Sequence, residues 1–180
     1  MFKIFVPYSI EKNIGRHYND CMELVGDEEF GIFVDGDTIF TTTNFGHQIQ
    51  DIIKQNSDCR AFTGVTNRVN CKWQIAPGVD QDNNDILYHR RFGKLLQQQQ
   101  QHKLSDHTDE QPMSGFLIAL RHDLWWEMGG FLEQGMIGID NDFHRRVANA
   151  GARIYCADGL YLFHWYMGDG GFNRNTDHLT

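Results

Sequence analysis

An α/β fold in one domain is what this sequence predicts, and three observations carry the prediction. Phe2 to Val6 is a compact β-type run. It is followed by apolar residues at helical spacing, and then by Phe30 to Val34, a second short apolar run with the length of a buried strand. Strand, helix and strand in that order make a βαβ unit, whose parallel strands need a right-handed crossover. With 180 residues the chain builds one domain with a sizeable core, and 41% hydrophobic with 22% charged residues is ordinary for a globular protein.

Taken in order, Pro7-Tyr8-Ser9 ends the first run, and Ile14, Tyr18, Cys21, Met22 and Val25 lay one helix face on the sheet between about Lys12 and Val25. Both strands then deliver their C-terminal ends to one edge, so Pro7-Tyr8-Ser9 and Asp35-Gly36-Asp37 are expected to be neighbours. A second helix is predicted over 46–55, with Ile49, Ile52 and Ile53 inward, leading to a strand near 60–65. Pro77-Gly78 marks a loop within 70–84. Residues 86–103 read as helix, and the run Gln97 to Gln101 with the polar residues that follow makes 97–111 an expected mobile polar segment. After Pro112 come a strand at 116–120, a short helix bearing Trp125 and Trp126, and a helix with Phe143, Val147 and Ala150 inward. That last helix ends at Gly151, where a C′ glycine belongs. Two strands near 153–156 and 160–164 and a glycine-rich tail close the chain.

The chemistry begins at the end of the second strand. Residues i and i+2 of an extended segment point the same way, so Asp35 and Asp37 face one site, and ligands of open α/β sheets bind outside the carboxyl ends of the strands. Gly36 between them admits a close approach. Two hard oxygen ligands make a mount for a divalent cation, and the same residues are also those that leave strands and enter turns. Asp140 and Asp142 fall at a helix N-terminus, where carboxylates normally cap; only one can fill the cap position, which leaves the other for a cleft. His164 follows the last apolar run.

Composition narrows the partners. A formal net charge of −8 argues against nonspecific attraction to nucleic acid. No run reaches the roughly 18 apolar residues of a membrane span, and Met1 to Ser9 lacks the pattern of a signal peptide, so a cytoplasmic location is expected. Cys21, Cys59, Cys71 and Cys156 are widely spaced and read as reduced packing residues.

In order and spacing, Asp35-Gly36-Asp37, Met113-Ser114-Gly115-Phe116, Gly129-Gly130-Phe131, Gly138-Ile139-Asp140-Asn141-Asp142-Phe143 and Tyr161-Leu162-Phe163-His164 resemble the family 2 glycosyltransferases of the GT-A fold. The resemblance spans most of the chain. It implies a Rossmann-like, mixed and mostly parallel sheet flanked by helices in a single domain 1–180, with a nucleotide- and metal-binding half at 1–67 and an acceptor and catalytic half at 112–180. It implies an enzyme that transfers a sugar from a UDP- or GDP-linked donor to an acceptor hydroxyl with inversion. By the same resemblance Asp37 and His164 hold Mn²⁺ or Mg²⁺, with Asp35 on the ribose or the metal. Asp140, or else Asp142, is the general base. Pro7, Tyr8, Ser9, Gly36 and Gly115 line the donor site, and Trp125 or Trp126 stacks on an acceptor sugar. Two departures are plain. Ile139 stands where the family carries Glu, and the short N-terminal half lacks one strand-helix unit with its base-contacting aspartate; Asn13, Gly15, Arg16 and Asn19 are the residues left to take over that contact. A binding module of the same fold without turnover, and a metal-dependent phosphoryl hydrolase, are the alternatives.

Overall fold

A computed structural model describes residues 1–165. The βαβ unit forms as predicted, with β1 (Phe2–Phe5), α1 (Ile14–Met22) and β2 (Phe30–Val34), and β1 pairs parallel to β2. Asn13 caps α1 by accepting the Arg16 N–H, which is why the helix starts there. A short strand β3 (Thr38–Phe40) leads to α2 (Phe45–Gln55), β4 (Ala61–Thr66) and the long α3 (Ile86–Gln100). Next come β5 (Leu104–Asp106), β6 (Leu117–Arg121), α4 (His122–Glu127), α5 (Ile139–Asn149) and β7 (Tyr155–His164). Gly151 follows α5 at φ +71°, the left-handed position expected of a C′ glycine.

The sheet has seven strands in the order β1-β2-β6-β4-β7-β3, with β5 added on β7. It is mixed, but parallel pairing is the minority. Among the described strands only β1–β2 and β4–β7 pair parallel, because β6 is inserted antiparallel between β2 and β4. Strands β1, β2, β4 and β7 nevertheless share one direction, so their C-terminal ends gather on one edge. That shared direction, rather than parallel pairing, positions the site.

Period-two alternation divides the core between the two faces. On β2 and β6, Phe33, Ile118 and Leu120 meet α1, α4 and α5 through Tyr18, Met22, Leu124, Phe143 and Val147. Phe30, Ile32, Val34, Leu117 and Ala119 face the other way, toward Ile49 and Ile52 of α2. A smaller cluster joins Leu96 of α3 to Val65, Cys156 and Tyr161.

Two expectations change. The polar stretch 97–111 is built into the fold: Gln97–Gln100 finish α3, and β5 pairs with β7. Its polar side chains find partners there, Arg153 to Asp106 at 2.6 Å, and the Ile154 N–H to Thr108 Oγ1 at 3.0 Å. The two closing strands are one strand, β7, with a register shift against β4 between Thr63 and Val65 that absorbs the polar Asp158-Gly159 interruption. The glycine-rich tail lies outside the described residues. Among the described residues no helix is long and apolar enough to cross a membrane. Cys59, Cys71 and Cys156 are buried and free, as expected, and burial lifts the thiol of Cys59 to about 12 and that of Cys71 to about 11.

Candidate metal centre and cleft

The site forms where β2 and β7 end. The Asp35 N–H donates to Phe116 O (3.0 Å), and the Thr38 N–H returns to Asp35 O (3.1 Å), so the chain turns at Asp35-Gly36-Asp37 before entering β3. β3 then runs antiparallel to β7 with Thr38 opposite His164, and the Trp165 N–H donates to Asp37 O (2.7 Å). The turn reading of Asp35-Gly36-Asp37 is therefore realised, and the carboxylates of that turn lie close to His164. Ligand atoms of Asp35, Asp37 and His164 all lie within 4.8 Å of one another.

His164 is held through its backbone and both ring nitrogens. The His164 backbone N–H donates to Asn67 Oδ1 (2.8 Å), and Nδ1 lies 2.8 Å from the Arg68 carbonyl. A carbonyl only accepts, so Nδ1 carries a proton and Nε2 is the atom turned to Asp37 Oδ2, at 3.2 Å. A ring nitrogen donating to a backbone carbonyl while the other is turned outward is the arrangement that suits a histidine for ligating a metal. Burial opposes charge on His164, but the Asp37 hydrogen bond and charge, the Arg68 carbonyl and Asp35 together raise its pKa above the usual value. Burial first, then the charges of Asp37 and Asp140, push the Asp35 carboxyl up to about 6, with His164 pulling the other way. Two carboxylates crowded beside one imidazole fit a divalent cation: hard oxygens with one nitrogen suit Mn²⁺ or Mg²⁺, and a cation relieves the repulsion between Asp35 and Asp37.

Beside this cluster opens a polar cleft of about 620 Å³, lined by Asp35, Asn70, Gln111, Ser114 to Gly115 and the 136–141 segment, with Ile14 and Tyr18 of α1 as its floor. Asp140 sits at its wall. Its Oδ2 accepts the Gly115 N–H (3.1 Å) and its Oδ1 the Asn141 N–H (2.8 Å), so the carboxylate ties the start of β6 to the start of α5. Each oxygen keeps a further lone pair. Tyr18 lines the same cleft as both acids, its pKa raised by burial and then by the charges of Asp35 and Asp140. Sequence reading took Tyr18 as a core residue of the helix face, which it also is, packed on Phe33 and Phe131.

Several sequence-assigned residues go elsewhere. Asp142 turns away from the cleft to pair with Arg146 at 3.0 Å, one helical turn on. Trp125 is buried, its indole N–H donated to Asn19 Oδ1 (2.9 Å). Trp126 is exposed, but α4 follows β6, whose Arg121 lies opposite Phe30, so both tryptophans stand at the end of the sheet away from Asp35. Asn19 also accepts the Phe131 N–H (2.7 Å) and donates to Phe131 O (3.0 Å) and Glu133 (2.9 Å); it is a clamp on the 131–133 loop. Asn13 is the helix cap, and a Cβ on Gly15 would lie 1.9 Å from the Leu132 carbonyl, so both serve the α1 contact with that loop. Arg16 is exposed and paired with Glu11. Ser9 Oγ accepts the Asn13 N–H (2.8 Å), and Tyr8 is exposed. Pro7-Tyr8-Ser9 does follow β1 beside the Asp35 turn, where a Cβ on Gly36 would meet Val6 at an ordinary 3.8 Å. Glycine is thus not required at position 36 by crowding from the described residues. Tyr18 joins the cleft only through long-range packing, and no local spacing marks it as a site residue.

Comparison with protein-family models and with curated proteins gave no match to this chain.

Proposed function

We propose that this chain is a metal-dependent glycosyltransferase of the GT-A type, transferring a sugar from a UDP- or GDP-linked donor to an acceptor hydroxyl with inversion. The observation that carries the reading is the convergence of Asp35, Asp37 and Nε2 of His164 beside a polar cleft that Asp35 and Asp140 both line. A divalent cation held there supplies charge neutralisation for a departing diphosphate. Around it the chain's own groups divide the work. Asp37 and His164 hold the cation, Asp35 bridges to the donor, and Ser114-Gly115 lies beneath the sugar. Asp140 accepts the proton of the attacking hydroxyl through its remaining lone pairs. Ile14 and Tyr18 offer the donor an apolar and aromatic floor in place of the missing strand-helix unit.

Titration calorimetry with UDP and GDP, with and without Mn²⁺, tests the reading. Binding is expected to require the metal and to be lost in Asp37→Asn; nucleotide binding of equal strength in chelator sinks it. A binding module of the same fold is the second reading, favoured because both Asp140 oxygens are engaged by backbone amides. It predicts metal-dependent donor binding without donor consumption. Hydrolysis of simple phosphate esters, with no nucleotide preference, marks the phosphoryl hydrolase instead.

A further inference from the structure

A second groove, of about 750 Å³, runs between the outer face of α3 and the 41–44 segment that enters α2. It shares no lining residue with the acidic cleft. Leu87, Arg90, Arg91, Lys94, Gln97 and Gln98 follow one another at the three- and four-residue spacings that make a single helical stripe. The charge of that stripe is unusual for a chain of net −8. Among the described residues no acid lines the groove, and α3 itself carries none. Arg60, Lys103, Arg121 and Arg153 each hold a carboxylate, whereas Lys54, Lys72 and Arg145 stand singly on the surface without an ion pair among the described residues. Arg90, Arg91 and Lys94 enter no ion pair among the described residues. Arg90 and Lys94 are like charges at i and i+4, an arrangement that weakens a helix unless an anion lies between them.

The facing wall completes an anion's surroundings. Thr43 and Asn44 are exposed there, α2 begins at Phe45, its first turn holds no acid, and the Asn44 side chain makes no capping bond. The positive end of α2 is therefore left facing the same groove as the three cations. Arg90 and Lys94 are about 6 Å apart along the helix axis at 1.5 Å per residue. That spacing suits a multiply charged group, since one cation suffices for a single carboxylate, and the two guanidiniums offer the fork that matches phosphate oxygens. Leu87 and the aliphatic stems beside it give the ligand's body an apolar surface.

We propose that this groove binds a phosphoryl- or diphosphoryl-bearing small ligand, held by Arg90, Arg91 and Lys94 opposite Thr43 and the start of α2. The proposal is independent of the metal centre, and its test keeps the two apart. Titration calorimetry of the full chain with inorganic pyrophosphate, in chelator so that the acidic cleft has no cation to lend, is expected to give saturable binding. Arg90→Gln/Lys94→Gln should weaken it about tenfold or more, added salt should weaken it further, and Lys54→Gln at the far end of α2 should leave it unchanged. All these positions are on helix surfaces, and helical circular dichroism verifies that the variants fold. No saturation up to millimolar pyrophosphate, or equal affinity in the double variant, overturns the proposal. Sedimentation with phosphatidylglycerol but not phosphatidylcholine vesicles, lost in the double variant and without pyrophosphate binding, would overturn it in favour of a membrane surface.

Discussion

Asn19→Ala is the substitution whose cost the structure specifies most closely. The side chain sits between α1 and the 131–133 loop and makes four hydrogen bonds, accepting from Trp125 Nε1 and the Phe131 N–H and donating to Phe131 O and Glu133. Truncation leaves the Trp125 N–H and both backbone groups of Phe131 without these partners, in a region where Trp125 and Phe131 are buried. An orphaned buried polar group costs about 1–3 kcal/mol, so three of them, with some relaxation of the loop toward water, give a loss of about 3 kcal/mol or more. For a chain of this size that is a fall in melting temperature of roughly 6–12 °C. Urea denaturation followed by tryptophan fluorescence measures it, and the cycle with Trp125→Phe isolates one bond. In the Trp125→Phe background Asn19→Ala should cost about 1 kcal/mol less, because the indole N–H is already gone. A loss below about 1 kcal/mol, or strict additivity in the cycle, refutes the clamp. The loop continues through Gly135, whose carbonyl accepts the Ile14 N–H (3.1 Å), into the 136–141 segment that lines the acidic cleft. A loosened clamp should therefore also weaken whatever the cleft binds.

Mn²⁺ at a hundred times its dissociation constant should stabilise the wild type by about 2.7 kcal/mol, visible as a thermal shift that Asp37→Asn removes; an unchanged shift in that variant moves the metal elsewhere. Asp140→Asn is expected to abolish sugar transfer with donor affinity retained, while Asp142→Asn, which loses only its pairing with Arg146, should turn over normally; the reverse result exchanges the two roles. Gly36→Ala should be tolerated, since its Cβ meets Val6 at 3.8 Å, whereas Gly15→Ala must displace the Leu132 carbonyl and should cost about 1–3 kcal/mol in urea denaturation. The Arg121 hydrogen bond holds the Asp123 carboxyl below its usual range, against partial burial. A depressed carboxylate contributes stability above its unfolded pKa of about 3.9 and loses it as pH falls through the lower folded value. The acid limb of a stability-against-pH curve should accordingly flatten in Asp123→Asn, and an unaltered limb would remove Asp123 from acid unfolding.

The parts of the fold that sequence pattern made legible are those whose cause is local. The helix over 45–55, the five-residue strand before Asp35 and the C′ glycine at 151 follow from spacing and from residue-specific backbone preference, and each stands within a residue or two of its expected place. What failed depended on partners distant in sequence. β5 reads as polar loop because its strand character comes from pairing with β7, not from its own residues. Asn13 and Asn19 read as candidates for the base contact, since nothing within the helix announces that the 131–135 loop will cover them. Trp125 and Trp126 are adjacent and look alike in sequence, yet one is core and the other solvent-facing, as neighbours on a helix must be.

The same distinction explains why Asp35, Asp37 and His164 converge as the strand order predicts while the surroundings expected of them differ. Asp35 and Asp37 converge through the turn closed by the Thr38 N–H on Asp35 O, and His164 joins them because β3 leaves that turn antiparallel to β7 with Thr38 opposite His164. Both follow from local turn and strand geometry, whatever β6 does. The cleft wall obeys no such rule. It depends on β6 entering antiparallel between β2 and β4, which brings Phe116 to the Asp35 amide and Gly115 to Asp140. Antiparallel insertion also carries α4 and its two tryptophans to the far end of the sheet. One topological feature thus supplies the cleft with Gly115 and Asp140 and removes the aromatic platform, so any ligand entering this cleft meets the 136–141 segment, Asn70 and Gln111 rather than a tryptophan from α4.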